Sequence, residues 1–193
     1  MRHRFLLPTP LFWMIVAGMI MIISLFAGTR SIDPAIYARY KRRLPYKSIP
    51  ICGTSELKTY MDYRTITDPT STQYGYIRQH MHIDRGTGLL YDGDGFIGVA
   101  LGYSFGSIGS RYYFVLDSGI TLPVVKIEEK DPKDASNGCT VDINGSVLEF
   151  VIDADRADDY FGTATNGLVL QGNFNNDPRF AGAISEIDRV LDN

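Results

Sequence analysis

The sequence predicts a mainly β protein: a small β-barrel domain preceded by one N-terminal transmembrane helix. Three observations lead there. An uncharged run of 24 residues, Phe5 to Gly28, stands near the start of a 193-residue chain. From Lys58 onward, short segments rich in Val, Ile, Tyr and Phe alternate with turn residues. Hydrophobic residues make up 45% and charged residues 21%, a globular balance that leaves enough apolar side chains for a core.

The elements follow in chain order. Residues 1–10 are a short tail carrying Arg2 and Arg4. Leu11–Ala27 reads LFWMIVAGMIMIISLFA and predicts the transmembrane helix, since about 20 apolar residues span a hydrocarbon core. Trp13 sits near one end, where an interfacial aromatic belongs. No polar face interrupts the run, as it would in a helix half-buried in a soluble core. A cleavable signal peptide is the rival, but Leu25-Phe26-Ala27 matches an A-x-A-like cleavage site poorly. The lipid bilayer is therefore the expected partner of this helix.

Residues 28–56 predict a basic juxtamembrane stalk. Ser31 to Leu44 has helical spacing, with Asp33 as cap and Pro34 in the first turn. Arg39, Lys41, Arg42 and Arg43 interleave with its apolar positions. Two uses stay open: a solvated spacer, or attachment to anionic lipid headgroups or wall polymers. Counting Lys and Arg alone puts the C-terminal side in the cytoplasm, although long domains translocate largely regardless of charge.

Residues 57–193 predict the β domain. Its strands are Leu57–Arg64, Gly95–Leu101, Arg111–Leu116, Thr121–Ile127, Val147–Ile152 and Gly167–Gln171. Between them stand Asp-Gly-Asp-Gly, Asp-Ser-Gly, Ser-Asn-Gly and Ile-Asn-Gly, which supply positive φ or local side-chain hydrogen bonds. Such strands at short spacing suit a small barrel. The segment after Asp177-Pro178 fits either a helix or a closing strand; the alternation of Phe180, Gly182 and Ile184 favours the strand.

Charge excludes one function class. Residues 1–59 carry nine Lys/Arg and two acids, whereas residues 60–193 carry ten Lys/Arg and twenty acids, a net of −10. A body so acidic does not suit nucleic acid, whose phosphates require a basic surface. Asp92-Gly93-Asp94-Gly95 lacks the fifth and twelfth ligands of a calcium loop and predicts a hairpin turn. Asp153, Asp155, Asp158 and Asp159 predict the start of a helix, where negative charge is favoured. Gly102, Gly106 and Gly109 predict a tight connection rather than a nucleotide fingerprint. A zinc site at His80 and His82 would need His3, Cys52 or Cys139 as further ligands; neither metal nor cofactor is expected. Cys52 and Cys139 leave two options, one disulfide or two free thiols.

The stretch from Thr59 to Asp153 contains TYMDYRTIT, GVALGYSFGSIGSRYYFVLDSG and NGSVLEFVID. It resembles uncharacterised, membrane-anchored proteins of Gram-positive bacteria with a small domain akin to the double-psi β-barrel. That barrel is shared by rare lipoprotein A, expansins, the three-aspartate (3D) domain and membrane-bound lytic transglycosylase A. The resemblance implies an extracytoplasmic body acting at the cell wall, by peptidoglycan binding or glycan cleavage. Its two carboxylates fall on Asp131 and Glu149, which become the candidate catalytic residues. Pro132-Lys133 stands where the family has Thr-Gly, and Glu149 where it has Asp. The strands before Asp131 and around Glu149 are expected to pair, with both acids close. The other expectation is a non-enzymatic bitopic component of an envelope assembly, docking on a protein partner.

Overall fold

A computed structural model describes residues 44–161 and 174–191. The chain divides into two units, residues 1–36 and 37–193, and every described residue belongs to the second. The expected transmembrane helix Leu11–Ala27, nearly all of the stalk helix and the strand Gly167–Gln171 lie outside the described residues. Among those described, no helix is long and apolar enough to cross a membrane.

The domain is mainly β, with nine strands in one sheet and two α-helices among the described residues. In chain order these are β1 (Tyr46–Ile49), β2 (Thr59–Asp62), α1 (Thr72–His80), β3 (His82–Ile83), β4 (Leu90–Tyr91), β5 (Ile97–Leu101), β6 (Arg111–Leu116), β7 (Thr121–Glu129), β8 (Glu149–Ile152), α2 (Ala154–Phe161) and β9 (Ile184–Val190). The main path runs β1-β9-β6-β7-β5-β4-β3, and β8 branches from β5 to carry β2. Among the described residues this sheet is open, with β1 and β3 at the ends of its path, where the sequence suggested closure into a barrel. The pairs β5–β7 and β2–β8 are parallel; the other strand pairs are antiparallel.

Both faces of the central strands are covered, which is why β5, β6, β7 and β8 read as largely apolar runs. Tyr112, Phe114, Leu122, Val124, Phe150 and Ile152 project into the larger cluster. Their strand neighbours Tyr113, Val125 and Val151 project into a second cluster with Ile77 of α1. The period of two therefore distributes alternate residues to opposite cores. A trio of Phe150, Phe174 and Phe180 closes the larger core, with ring centroids 4.5 to 5.4 Å apart.

Several local expectations hold. Asp92 to Gly95 forms the β4–β5 hairpin, and the buried Asp92 carboxylate accepts from the backbone of Asp94 and Phe96 at 2.9 Å. Arg111 completes that site with a 2.7 Å ion pair to Asp92 and one of 2.8 Å to Asp94. Asp153 precedes α2 and accepts from Arg156 N, while Asp62 accepts from Ala154 N. Gly102 packs so closely that a Cβ would lie 2.0 Å from Gly138 O. The final segment is the strand β9. β1 lies in the stretch read as stalk and pairs with β9.

Candidate functional site

The sequence of β7 runs apolar from Leu122 to Val125 and turns charged at Lys126. Against β5 its register shifts: Val99 faces Lys126, but Ala100 faces Glu128 and Leu101 faces Glu129. Ile127 is the extra residue of a β-bulge, and such a bulge re-aims the side chains beyond it. Gly98 makes the space, since a Cβ there would lie 2.4 Å from Ile127 Cδ1. Lys126, on the other face, is fully buried and donates to Gly102 O, Gly106 O and Glu129 Oε2 at 2.7 to 3.0 Å.

The shift has a chemical result. Ala100 faces Glu128 of β7 on one side and Glu149 of β8 on the other. Thr59 of β2 extends the row beyond Glu149. Two glutamates thus flank an alanine, with Cα atoms two strand spacings apart, about 10 Å. The short Ala100 side chain leaves open space above the strand. A cleft of about 640 Å³ occupies it, lined by Glu128, Glu149, Lys130 and the loop between β7 and β8.

Burial pushes the Glu128 carboxyl up from its usual range. The Glu129 N–H, at 2.7 Å, and the Gln73 amide of α1, at 3.2 Å, oppose this by donating to Oε1. The charges of Glu129 and Glu149 push it further up. Lys130 is buried, donates to Ser146 O at 3.1 Å, and is lowered to about 8 by burial, with Glu149 pulling the other way. A protonatable acid, a second carboxylate and an ammonium titrating near pH 8 therefore share one cavity.

The far wall is the loop from Asp131 to Val147. Cys139 within it forms a disulfide with Cys52, which settles the cysteine question for the bridged form. Val141 N donates to Ser146 O and Gly145 N to Val141 O, making a tight turn with Gly145 at φ +72°. Ile143 stands at its tip, 91% exposed on the cleft lip.

Asp131 and Glu149 both line this cleft. Their strands do not pair, because β5 runs between β7 and β8. Asp131 is exposed, beyond the end of β7, and accepts from Lys133 N at 2.9 Å. Glu149 pairs with neither Arg111, which is held by Asp92 and Asp94, nor Lys126, which is held by Glu129. Glu128 and Lys130 escaped sequence reasoning. The run Glu128-Glu129-Lys130-Asp131 was their signal, but strict alternation assigns Glu128 to the wrong face. Among the described residues no group of His, Cys, Asp and Glu is arranged to hold a metal ion. No family model, curated protein or solved structure matches the chain.

One outcome follows from Lys130. Folding depresses its pKa, so between about pH 8 and 10.5 the unfolded chain binds the extra proton and stability rises with pH. Lys58, buried and also lowered to about 8 by burial, adds to the same slope. The Lys130→Met variant is expected to lack its part of that gain. Melting curves of both proteins at about pH 8 and about pH 10 should show the wild type gaining ground on the variant. A gap that does not change with pH would remove Lys130 as a titrating group.

Proposed function

We propose that this is a membrane-anchored, extracytoplasmic β domain that cleaves cell-wall glycan, with Glu128 as the acid and Glu149 as its partner carboxylate. The observation that carries the reading is the Glu128–Ala100–Glu149 row at the floor of the cleft. A glycosidic cut needs an acid kept protonated near neutral pH and a carboxylate that stays charged. Burial, with the charges of Glu129 and Glu149 adding to it, raises the Glu128 carboxyl in the direction of the first condition. Glu128 would protonate the glycosidic oxygen, and Glu149 would stabilise the positive charge developing on the sugar. In a lytic route the Glu128 carboxylate then takes the proton of the sugar's own 6-hydroxyl as that oxygen closes on the anomeric carbon. A hydrolytic route delivers water there instead.

The resemblance put the two carboxylates on Asp131 and Glu149; in this proposal Glu128 takes the place of Asp131, because Asp131 is exposed at the rim. The Cys52–Cys139 disulfide supports an extracytoplasmic body, since disulfides persist in oxidising compartments. The double-psi-like architecture belongs to the same proposal, supported by parallel pairs crossing an otherwise antiparallel sheet.

The test is release of soluble fragments from purified peptidoglycan by the full-length protein in non-ionic detergent, with mass analysis of the ends. Glu128→Gln is expected to cut release by about a hundredfold or more. Folding should not suffer. A raised carboxyl pKa means the fold binds more protons than the unfolded chain, so stability falls as pH rises through that window. An amide removes this penalty, and the variant should melt at or above the wild type near neutral pH. Equal release by both proteins, or none by the wild type, sinks the cleavage reading. In a second reading the domain is a docking component of an envelope assembly, whose contact would fall at the exposed Ile143 on the cleft lip. Retention of a protein partner without glycan release would support it.

A further inference from the structure

We propose that a hollow beside β1, separate from the acidic cleft, binds a phosphate group between the Lys47 ammonium and the Arg189 guanidinium. The hollow holds about 330 Å³ and is walled by Ile49, Pro50, Phe105 and Tyr112 around the two cations. No acidic residue lines it. Lys47 of β1 lies directly opposite Arg189 of β9, and Arg189 in turn lies opposite Tyr112 of β6. Like charges directly opposite in an antiparallel pair destabilise the sheet. Among the described residues neither cation makes an ion pair. This occurs in a body whose residues 60–193 carry twenty acids against ten Lys/Arg, where neutralising partners are abundant.

An anion between the two cations removes the repulsion. Phosphate fits their chemistry: the Arg fork takes two oxygens of one tetrahedral anion, and Lys adds a point charge. The Ser104 hydroxyl on the wall already donates to Gly138 O at 2.6 Å, and the Tyr112 hydroxyl donates to Phe105 O. Recognition therefore rests on the two cations, and removing them should abolish it. The apolar wall of Ile49, Pro50 and Phe105 suits a phosphate that carries an organic substituent. β1 is the first described strand after the basic stretch, which makes a lipid headgroup one source and free phosphate the other. The lipid source rests on the anchoring proposed above; the phosphate site itself does not.

The experiment melts the full-length protein in non-ionic detergent, with inorganic phosphate in one arm and micelles doped with phosphatidylglycerol in the other. Acetate at matched ionic strength is the control. At tenfold over its dissociation constant, phosphate should raise Tm by about 3–5 °C. Lys47→Gln and Arg189→Gln should each abolish the shift, and without phosphate each should melt at or above the wild type because the opposed charges are relieved. A shift in the phosphatidylglycerol arm assigns the lipid as the source; a shift with inorganic phosphate alone assigns the free anion. Either outcome supports the site. Equal shifts with acetate, no shift in either arm, or variants that respond like the wild type overturn it.

Discussion

Reduction of the Cys52–Cys139 disulfide, or Cys139→Ala, is expected to lower the melting temperature by roughly 10 °C. The two cysteines are 87 residues apart, and closing a loop of that size in the unfolded chain is worth about 4 kcal/mol in the entropy model. A domain of this size loses about 2–4 °C of Tm per kcal/mol. The effect should not be purely global. Cys139 anchors in the larger core the loop that walls the acidic cleft, and Gly53, next to Cys52, packs so tightly that a Cβ would lie 2.5 Å from the Thr140 methyl. The bridge therefore fixes the wall that faces Glu128 and Glu149. Calorimetry with and without reductant gives the thermal term. Hydrogen exchange at residues 131–147 gives the local one, and these amides should lose protection before those of β6 and β7. A reduced protein with unchanged Tm and unchanged exchange would show that packing alone holds the wall.

Phe150→Ala is expected to cost about 4 kcal/mol, the usual range for emptying a fully buried phenylalanine site. Phe150 is 0% exposed; its ring centroid lies 4.5 Å from that of Phe174, in a tilted pair, and 5.1 Å from that of Phe180, edge to face. Each such pair adds about 0.5–1.5 kcal/mol beyond area burial. The lost ring would therefore loosen residues 174–180 as well as β8, and Tm should fall by roughly 10 °C. Glu149 is the preceding residue and faces the cleft. Phe150→Ala should thus lower activity only in proportion to folded protein, whereas Glu149→Gln should lower activity in fully folded protein. A Phe150→Ala protein with the wild-type Tm would show that this trio is not a keystone of the core.

The parts of this fold that were legible in the sequence are those with local causes. The hairpin at Asp92, the cap at Asp153 and the close approach at Gly102 each follow from a side chain acting on backbone within a few residues or from a missing Cβ. The strands β5, β6 and β7 announce themselves by apolar, β-branched composition. Other elements have no such mark. β1 reads YKSI, a half-polar edge segment that becomes a strand only because β9 lies beside it. α1 reads TQYGYIRQH, carries a glycine and buries only Ile77, so its apolar face is too thin to betray the helix. Its Ser71 cap, which accepts from Tyr74 N at 3.1 Å, was the available clue.

The site was half legible for the same reason. Glu149 is conspicuous because it interrupts an apolar strand. Glu128 is not, because its direction is set by a bulge at Ile127, and the bulge depends on Gly98 in another strand. Pairing across strands is a non-local fact, and a one-residue register shift reverses every inference from alternation. The disulfide was undecidable for a related reason: the partners are distant in sequence, and only the fold brings them together.

The same disulfide determines how the domain carries mechanical load. Among the described residues, a pull from the N-terminal side meets the Leu44 N–H bond to the Tyr113 hydroxyl and then β1, four residues zipped to β9, before it reaches Cys52. There tension leaves the backbone and crosses the sulfurs to Cys139. Residues 53–138, about 300 Å of fully extended chain, hang outside the line of force. They include β5, β6 and β7, which hold Ala100 and Glu128. The loop leading from Cys139 to Glu149 stays in the line. Force arriving from a tether would thus strain one lip of the cleft and spare its floor.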